Sequence, residues 1–366
     1  MAEYNKLTPE LIEELKGIVG EANCYVGDDI SADYSHDEMP IYGEQMPEAV
    51  CLPASTAEVA AIMMLCNDNN IPVTVRGAGT GLVGGATPLF GGVVLCTMRM
   101  DTMLYDDLNN LLVHVQPGVR LCDLAADALE HDLMYPPDPG EKTGSLGGNV
   151  STNAGGMRAV KYGTTRDYVL AMTVVLPNGQ ILELGRSVTK TSSGYSLLHL
   201  MIGSEATLGV ITELTLKLIP NPKEDISFIL PFADIDAAIS AVPKIKLAGL
   251  SPQSIEFMER DIVDSSANYT GNKIIPTVID GKEAGAYILV TLDGNDQDEI
   301  FQRAETLAEI GDEIGAYDTL VLSHPADKRA VWEARSAFLT VIEAETDLID
   351  EMDVVVPVDK IPTFLE

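Results

Sequence analysis

The stretch that decides the fold is residues 72–85, Pro72-Val73-Thr74-Val75-Arg76-Gly77-Ala78-Gly79-Thr80-Gly81-Leu82-Val83-Gly84-Gly85. A short apolar run, which predicts a β-strand, ends in a loop with five glycines in nine residues. Glycine tolerates positive φ and lacks the Cβ that keeps a backbone away from a ligand. Successive backbone N–H groups can then converge on an anion. The stretch therefore predicts a pyrophosphate-binding loop, with a ligand-free glycine hairpin as the alternative.

The loop does not fit the two commonest phosphate-binding motifs. Residues 79–84 match GxGxxG, but that fingerprint must open a helix. The following residues, Gly85-Ala86-Thr87-Pro88-Leu89-Phe90-Gly91-Gly92, cannot start a long helix. A P-loop is excluded because no Gly-Lys-Ser/Thr follows. We therefore expect a cradle made of loop backbone alone.

Two further glycine-containing stretches occur later in the chain, Gly144-Ser145-Leu146-Gly147-Gly148-Asn149-Val150-Ser151-Thr152-Asn153-Ala154-Gly155-Gly156 and Gly203-Ser204-Glu205-Ala206-Thr207-Leu208-Gly209-Val210-Ile211-Thr212-Glu213. With residues 76–81 and 136–139, they resemble the FAD-binding domain of the vanillyl-alcohol oxidase and p-cresol methylhydroxylase superfamily. Within it, the chain resembles the branch of glycolate oxidase FAD subunits and FAD-linked D-lactate dehydrogenases. The resemblance covers essentially the whole chain.

The resemblance implies an α+β fold in two parts. Residues 1–220 would form a two-subdomain FAD-binding domain of the p-cresol methylhydroxylase type, with subdomains at about 1–110 and 111–220. Residues 224–366 would form an incomplete α+β cap domain that holds the substrate. The turn-forming run Pro220-Asn221-Pro222-Lys223 fits a boundary between them.

The same resemblance assigns the cofactor residues. The first loop would cradle the pyrophosphate, the Pro137 region and the second stretch would line the ribityl chain and isoalloxazine, and the third would contact adenine or ribose. Covalent members attach the flavin through a histidine, and the corresponding positions here are Ala78 and Thr80, so the FAD is predicted to be non-covalent. The predicted cofactor-binding residues are Arg76, Gly77, Ala78, Gly79, Thr80, Gly81, Gly84, Gly85, Pro137, Gly144, Ser145, Gly148, Asn149, Thr152, Asn153, Gly156, Tyr162, Gly163, Glu205, Gly209, Val210 and Ile211.

Substrate binding is predicted in the second part. Trp332-Glu333-Ala334-Arg335 resembles the family segment whose arginine binds the substrate carboxylate. A guanidinium can meet a carboxylate through two parallel hydrogen bonds. The alternative is a surface arginine paired with an acid such as Glu333. Arg158 and Lys161 are predicted either near the anionic cofactor or in solvent.

The resemblance implies FAD-dependent oxidation of a small 2-hydroxy acid, D-lactate or glycolate, by hydride transfer to flavin N5. It places the catalytic base beyond Glu366, with no metal site expected in this chain. It also implies an electron acceptor such as electron-transferring flavoprotein or another subunit. The alternatives are an FAD oxidoreductase acting on alditols or sugar nucleotides, an FAD-binding fragment without turnover, and nucleotide phosphate binding without flavin.

The composition limits the classes of partner that the chain can bind. The 366 residues carry 23 Lys and Arg against 56 Asp and Glu, a net charge of −33. Such a chain repels nucleic acid and anionic membranes. We expect a cytoplasmic protein, because no signal peptide or membrane-spanning run is visible. The five cysteines show no C-x-x-C or iron–sulfur spacing.

Three further features of the sequence concern local backbone structure. Residues 140–168 have little apolar periodicity and predict a long structureless loop. Residues 354–357 predict a final strand. Ala206 stands where the family usually has glycine, and its methyl group is tolerable there if φ is negative.

Overall fold

The computed structural model describes residues 4–39, 41, 43–346 and 353–365. Contacts between residues divide the chain into two compact units. The first comprises Met1–Gly156 and Gly163–Asn221, and the second comprises Met157–Tyr162 and Pro222–Glu366. The domain bounds drawn from the sequence stay a prediction, and the sequence did not indicate that the short piece Met157–Tyr162 groups with the second unit.

Both units mix helices and strands, as the sequence predicted. In chain order the helices are α1 (Pro9–Val19), α2 (Thr56–Asp68), α3 (Leu121–Glu130), α4 (Leu146–Thr152), α5 (Ala159–Tyr162), α6 (Leu197–Met201), α7 (Ile235–Leu247), α8 (Arg260–Thr270), α9 (Gln297–Ile314), α10 (Pro325–Ser336), α11 (Phe338–Glu345) and α12 (Ile361–Leu365). The strands are β1 (Cys24–Val26), β2 (Ala49–Cys51), β3 (Val73–Arg76), β4 (Val93–Cys96), β5 (Met103–Asp107), β6 (Leu112–Val115), β7 (Leu133–Met134), β8 (Val169–Val175), β9 (Ile181–Gly185), β10 (Val210–Lys217), β11 (Ile219–Pro220), β12 (Glu224–Phe232), β13 (Ser254–Glu259), β14 (Val278–Ile279), β15 (Lys282–Glu283), β16 (Ala286–Gly294) and β17 (Leu320–Leu322).

The first sheet of unit one delivers the glycine loop. Its order is β1-β2-β4-β3, with β2, β4 and β3 parallel and β1 antiparallel to β2. On β4, Val93 and Leu95 enter the core that includes side chains of α1 and α2, whereas Val94 and Cys96 enter a cluster on the opposite face. Both faces of this strand are covered, which explains its uninterrupted apolar run.

Helices α1 and α2 each begin after a residue whose side-chain hydroxyl caps the helix. The Thr8 hydroxyl accepts a hydrogen bond from Leu11 N, and the Ser55 hydroxyl accepts one from Glu58 N. Each cap satisfies a backbone donor that has no partner within its helix. Both helices are therefore fixed at their starts by local sequence, and they cover one face of the sheet that carries β3.

A second, antiparallel sheet completes unit one, in the order β5-β6-β10-β8-β9. In unit two the sheet order is β13-β16-β12-β17, again antiparallel. On β12 the side chains alternate between two cores, with Phe228 and Leu230 in one and Ile229 in the other. The period of two places a hydrophobic cluster on each face of this sheet.

Two expectations were wrong. Residues 140–168 contain α4 and α5 rather than a structureless loop. Residues 354–357 form no strand and lead into a 3₁₀ turn at Val358–Lys360. Ala206 has φ of +58°, in the left-handed region, so the condition of a negative φ is not met there. No helix in the described parts of the chain combines the length and apolar character needed to span a bilayer.

Candidate functional site

The glycine loop folds over the buried Arg76 side chain at the end of β3. Arg76 Nη1 donates to His36 O at 2.5 Å. Gly79 has φ of +82°, and a Cβ there would lie 2.0 Å from Arg76 Nη2. Gly79 is thus required for the loop to pass this close to the guanidinium. The structure has no helix between residues 77 and 92, so the prediction that the loop opens no helix is confirmed, while its binding of a phosphate stays a prediction.

The loop backbone presents unused donors. Among the hydrogen bonds of the described residues, none is donated by a backbone N–H of residues 78–85. Most of these residues are only partly exposed. Residues 78–81 and 84 are partly buried, and partly buried N–H groups without protein acceptors are unusual, because such donors are nearly always satisfied. The arrangement suits an anion that accepts several of them at once.

The second predicted stretch packs directly on this loop. A Cβ on Gly77 would lie 2.2 Å from Ser145 Oγ, and one on Gly144 would lie 3.5 Å from Thr80 Oγ1. Ser145 also caps α4, because its hydroxyl accepts from Gly148 N at 3.2 Å. The cap fixes the Ser145 side chain, and the missing Cβ of Gly77 lets the two segments touch.

The third stretch reaches the same place. Glu205 N donates to Ser151 O at 2.8 Å, and Gly203 N donates to Val150 O at 3.0 Å. A Cβ on Gly85 would lie 3.5 Å from Glu205 Oε2. The turn at 203–206 therefore contacts α4 and lies beside the glycine loop. Three segments that are far apart in sequence come together within unit one.

The remaining predicted cofactor residues of α4 and its surroundings have structural partners. Thr152 Oγ1 donates to Gly148 O at 3.1 Å, and Asn153 Oδ1 accepts from Arg166 N at 2.9 Å. Pro137 is buried. A Cβ on Gly156 would lie 2.1 Å from Asp138 O. Their contact with a cofactor stays a prediction.

The other predicted cofactor positions lie at strand and turn positions. A Cβ on Gly209 would meet Val174 Cγ1 at 2.6 Å, and one on Gly163 would meet Asp167 Oδ2 at 2.2 Å. Val210 and Ile211 are buried on β10, where Val210 belongs to the core beneath α2. These glycines are needed for close packing of the protein itself, so their identity alone does not indicate a ligand.

Three buried polar atoms around the cradle have no hydrogen-bond partner among the described residues. They are Asp37 Oδ2, Thr87 Oγ1 and Asn149 Nδ2. Asn149 was predicted from the sequence as a cofactor residue, whereas Asp37 and Thr87 were not. Unpaired buried polar atoms are uncommon in proteins and call for a specific explanation. A polar cofactor in the cradle would supply the missing partners.

The predicted substrate arginine lies in unit two with a partner of its own. Arg335 Nε and Nη2 contact Glu256 Oε2 at 3.0 and 2.8 Å. The partner is therefore Glu256 of β13, not the neighbouring Glu333. The guanidinium also stands over the Phe338 ring at 5.4 Å. Burial raises the pKa of Glu256, while the Arg335 charge and hydrogen bond oppose that shift.

The sequence reasoning missed a cluster in unit two, in which three side chains donate hydrogen bonds to one buried carboxylate. Asp293, 1% exposed at the end of β16, accepts hydrogen bonds from Lys161 Nζ, from Tyr162 OH at 2.5 Å and from Gln253 Nε2 at 3.3 Å. The signal was an isolated acid after the apolar run of β16. Lys161 is thus placed in an ion pair rather than in solvent, and it anchors α5 to unit two.

No group of three or more His, Cys, Asp or Glu side chains suited to a metal ion occurs in the described ranges.

Unit one offers an anion cradle of loop backbone with unpaired polar atoms around it. Unit two offers a guanidinium held by a partly buried acid. The first arrangement can hold a dinucleotide phosphate, and the second can hold a carboxylate.

Comparison with known proteins gives the family. Residues 47–185 match the family described as FAD binding domain, and residues 221–366 match FAD linked oxidases, C-terminal domain. The chain is 53% identical to a D-lactate dehydrogenase of Anaerostipes hadrus over 363 residues, covering 99% of this chain and 76% of that protein. It is 35% identical to glycolate oxidase subunit GlcD of Bacillus subtilis, covering 92% of this chain and 70% of that protein.

The fold is also found among solved structures. The crystal structure of p-cresol methylhydroxylase with substrate bound superimposes with a TM-score of 0.73 at 17% identity, covering 89% of this chain and 68% of that chain. The predicted fold class is therefore confirmed, and the family matches and the relatives confirm the predicted family.

Proposed function

Because the chain belongs to the FAD-linked oxidases, we propose that it oxidises a small 2-hydroxy acid, D-lactate or glycolate, with non-covalently bound FAD. The observation that carries the cofactor part is the loop of residues 78–85, which is partly buried at 78–81 and 84 and whose N–H groups donate no bond to the described protein. The substrate class is supported by the similarity to a D-lactate dehydrogenase and to a glycolate oxidase subunit.

The residues present fit FAD. The loop of residues 78–85 would hold the pyrophosphate through backbone N–H groups, which suit an anion without a cationic side chain. The unpaired Asn149 Nδ2 beside it offers a further buried donor. When bound, FAD would supply the hydride acceptor, flavin N5. The positions that carry histidine in covalent members are Ala78 and Thr80, which supports non-covalent binding.

Arg335 would hold the substrate carboxylate. Glu256 occupies the edge of the guanidinium formed by Nε and Nη2. The other edge, formed by the two Nη groups, is the one that meets a carboxylate end-on with two hydrogen bonds. Glu256 thus orients Arg335 without consuming the donors that the substrate needs. Binding at this edge would fix the C2 carbon and its hydroxyl in one orientation.

The electron acceptor completes the proposal. We also propose that electrons leave to electron-transferring flavoprotein or a comparable subunit. The absence of an iron–sulfur cysteine pattern in the sequence supports a separate acceptor.

The test is the visible spectrum of the purified yellow protein before and after anaerobic addition of D-lactate. D-lactate or glycolate should bleach the flavin, whereas L-lactate and alditols serve as comparison substrates. Bleaching by alditols alone would move the protein to another substrate class. Bound flavin that no 2-hydroxy acid reduces would indicate FAD binding without turnover, and a colourless protein that takes up no FAD would refute the proposal.

Arg335→Lys tests the substrate site. Lysine keeps the charge but loses the paired donors, so the KM for D-lactate should rise by about 10- to 100-fold, the loss expected for a charge-assisted hydrogen bond. Arg329→Lys, at an exposed position on the same helix, is the matched control and should leave the KM unchanged. An unchanged KM in Arg335→Lys would remove Arg335 from the substrate site. Reduction of purified electron-transferring flavoprotein by D-lactate tests the acceptor.

A further inference from the structure

A segment before β2 runs alongside the glycine loop. His36 O accepts from Arg76 Nη1 at 2.5 Å, and Glu38 N donates to Gly81 O at 3.0 Å. Asp37 lies between these two contacts, so its backbone is held against the loop from both sides. The position of Asp37 relative to the cradle is therefore fixed by hydrogen bonds within unit one.

The two oxygens of the Asp37 carboxylate differ. Oδ1 accepts a hydrogen bond from Met39 N at 3.0 Å. Oδ2 has no hydrogen-bond partner among the described residues, although the residue is only 3% exposed. A Cβ built on Gly81 would lie 3.6 Å from Oδ2, so this atom faces the cradle. A buried carboxylate oxygen without a partner is strongly disfavoured, and a native structure requires a reason for it.

The missing partner must donate a hydrogen bond and carry no negative charge. A phosphate placed next to Asp37 Oδ2 would be repelled by the charge of the carboxylate. The nearby guanidinium of Arg76 directs Nη1 to His36 O instead. A neutral hydroxyl remains, and dinucleotides carry hydroxyls on the sugars that flank the pyrophosphate. Carboxylates accept ribose hydroxyls in other dinucleotide sites for the same reason.

We propose that Asp37 Oδ2 accepts a hydrogen bond from a sugar-chain hydroxyl of FAD, on the ribityl chain or on the ribose, next to the pyrophosphate. The inference rests on the FAD binding in the proposed function. It adds a cofactor residue that the motif reasoning did not include. Asp37 would help distinguish a dinucleotide, which carries these hydroxyls, from a bare phosphate.

The test measures FAD affinity of the apoprotein by flavin fluorescence. Asp37→Ala should weaken FAD binding by about 10- to 100-fold, the loss expected for a hydrogen bond to a charged group. Asp33→Asn, which also removes a negative charge from an exposed position of the same segment, should leave the affinity unchanged. FAD analogues lacking one ribityl or one ribose hydroxyl identify the donor. The wild type should bind one analogue weakly, and Asp37→Ala should bind that analogue and FAD equally.

A second readout separates this role from a structural one. Asp37→Asn should leave the apoprotein as stable as the wild type or more stable, because it removes an unpaired buried charge, while FAD affinity falls. A merely structural carboxylate would give a destabilised apoprotein with unchanged affinity.

If FAD binds and Asp37→Ala keeps the wild-type affinity, or if the wild type binds every analogue as tightly as FAD, the inference is wrong and the proposed function stands. If the wild type binds no FAD, the proposed function itself fails.

Discussion

The closest backbone approach at the predicted flavin end of the cradle is made by Gly156. A Cβ at this position would lie 2.1 Å from Asp138 O, 2.3 Å from Asp138 C and 2.7 Å from Pro139 N. All three are backbone atoms, and the Pro139 ring restricts their movement. Gly156→Ala therefore cannot be relieved by turning a side chain, and one of the two backbone segments must move by about 1 Å to reach ordinary van der Waals contact.

The expected loss of stability follows from this displacement. Overpacking a well-packed site costs about 1–3 kcal/mol, and a clash with backbone belongs at the upper end of that range. With a urea m-value of about 3 kcal/mol/M, the unfolding midpoint of unit one should fall by about 1 M. Urea unfolding followed by flavin fluorescence measures it in the FAD-loaded protein. The sole tryptophan, Trp332, belongs to unit two and reports that unit separately.

The neighbouring glycine provides a matched control. A Cβ on Gly155 meets nothing within 4 Å, and neither glycine has a positive φ. Gly155→Ala should therefore change stability by less than about 0.5 kcal/mol. Equal midpoints for the two variants would show that the clash at Gly156 is relieved at no cost, and the reasoning from this contact would be refuted.

Three further variants test other parts of the molecule by the same urea method. Ala206→Gly should raise stability by about 1 kcal/mol, because φ is +58° there and glycine adopts it without strain. Asp293→Asn should lower stability by about 3 kcal/mol, since it leaves the Lys161 ammonium without its buried counter-charge. Burial raises the pKa of Glu256 above its usual 4.5. The folded state favours the protonated acid. The free energy of unfolding of the wild type should therefore fall as pH rises from about 4.5 through the folded pKa. Glu256→Gln should lack this loss.

Matched controls show what the same kinds of substitution do at ordinary sites of the chain. Ala125→Gly, at an exposed site within α3, should lower stability by about 0.5–1 kcal/mol, opposite in sign to Ala206→Gly. Asp225→Asn breaks a half-exposed ion pair with Lys328 and should cost less than about 1 kcal/mol. If Asp293→Asn costs no more than Asp225→Asn, the cluster does not hold α5. For Glu256→Gln, a pH profile parallel to that of the wild type contradicts the assignment.

Local sequence determines the parts of the fold that local physics controls. The caps at Thr8 and Ser55 start α1 and α2, and the apolar run of β4 forms a buried strand. The glycine loop was predicted to open no helix because residues 85–92 cannot form one, and this was confirmed. In each case the residues that decide the structure lie within a few positions of one another.

Helix α4 shows where such reasoning fails. Its sequence, Leu146-Gly147-Gly148-Asn149-Val150-Ser151-Thr152, contains two glycines and has poor helix propensity. The helix forms because Ser145 caps it and because Leu146 and Val150 are completely buried. Tertiary packing outweighs propensity here. The pairing of Lys161 with Asp293 joins residues 132 positions apart, which no local pattern can indicate.

The glycines of the candidate site fall into two classes, and the difference bears on what the site binds. At Gly77, Gly79 and Gly156 a Cβ would lie within 2.2 Å of another protein atom, so the folded chain itself requires glycine. At Gly81 and Gly85 a Cβ would lie at 3.6 and 3.5 Å from its nearest neighbour, and φ is not positive. Neither packing nor backbone conformation explains glycine at these two positions. A ligand that must approach the loop backbone explains both, because a methyl group there would hold the ligand away from the N–H groups.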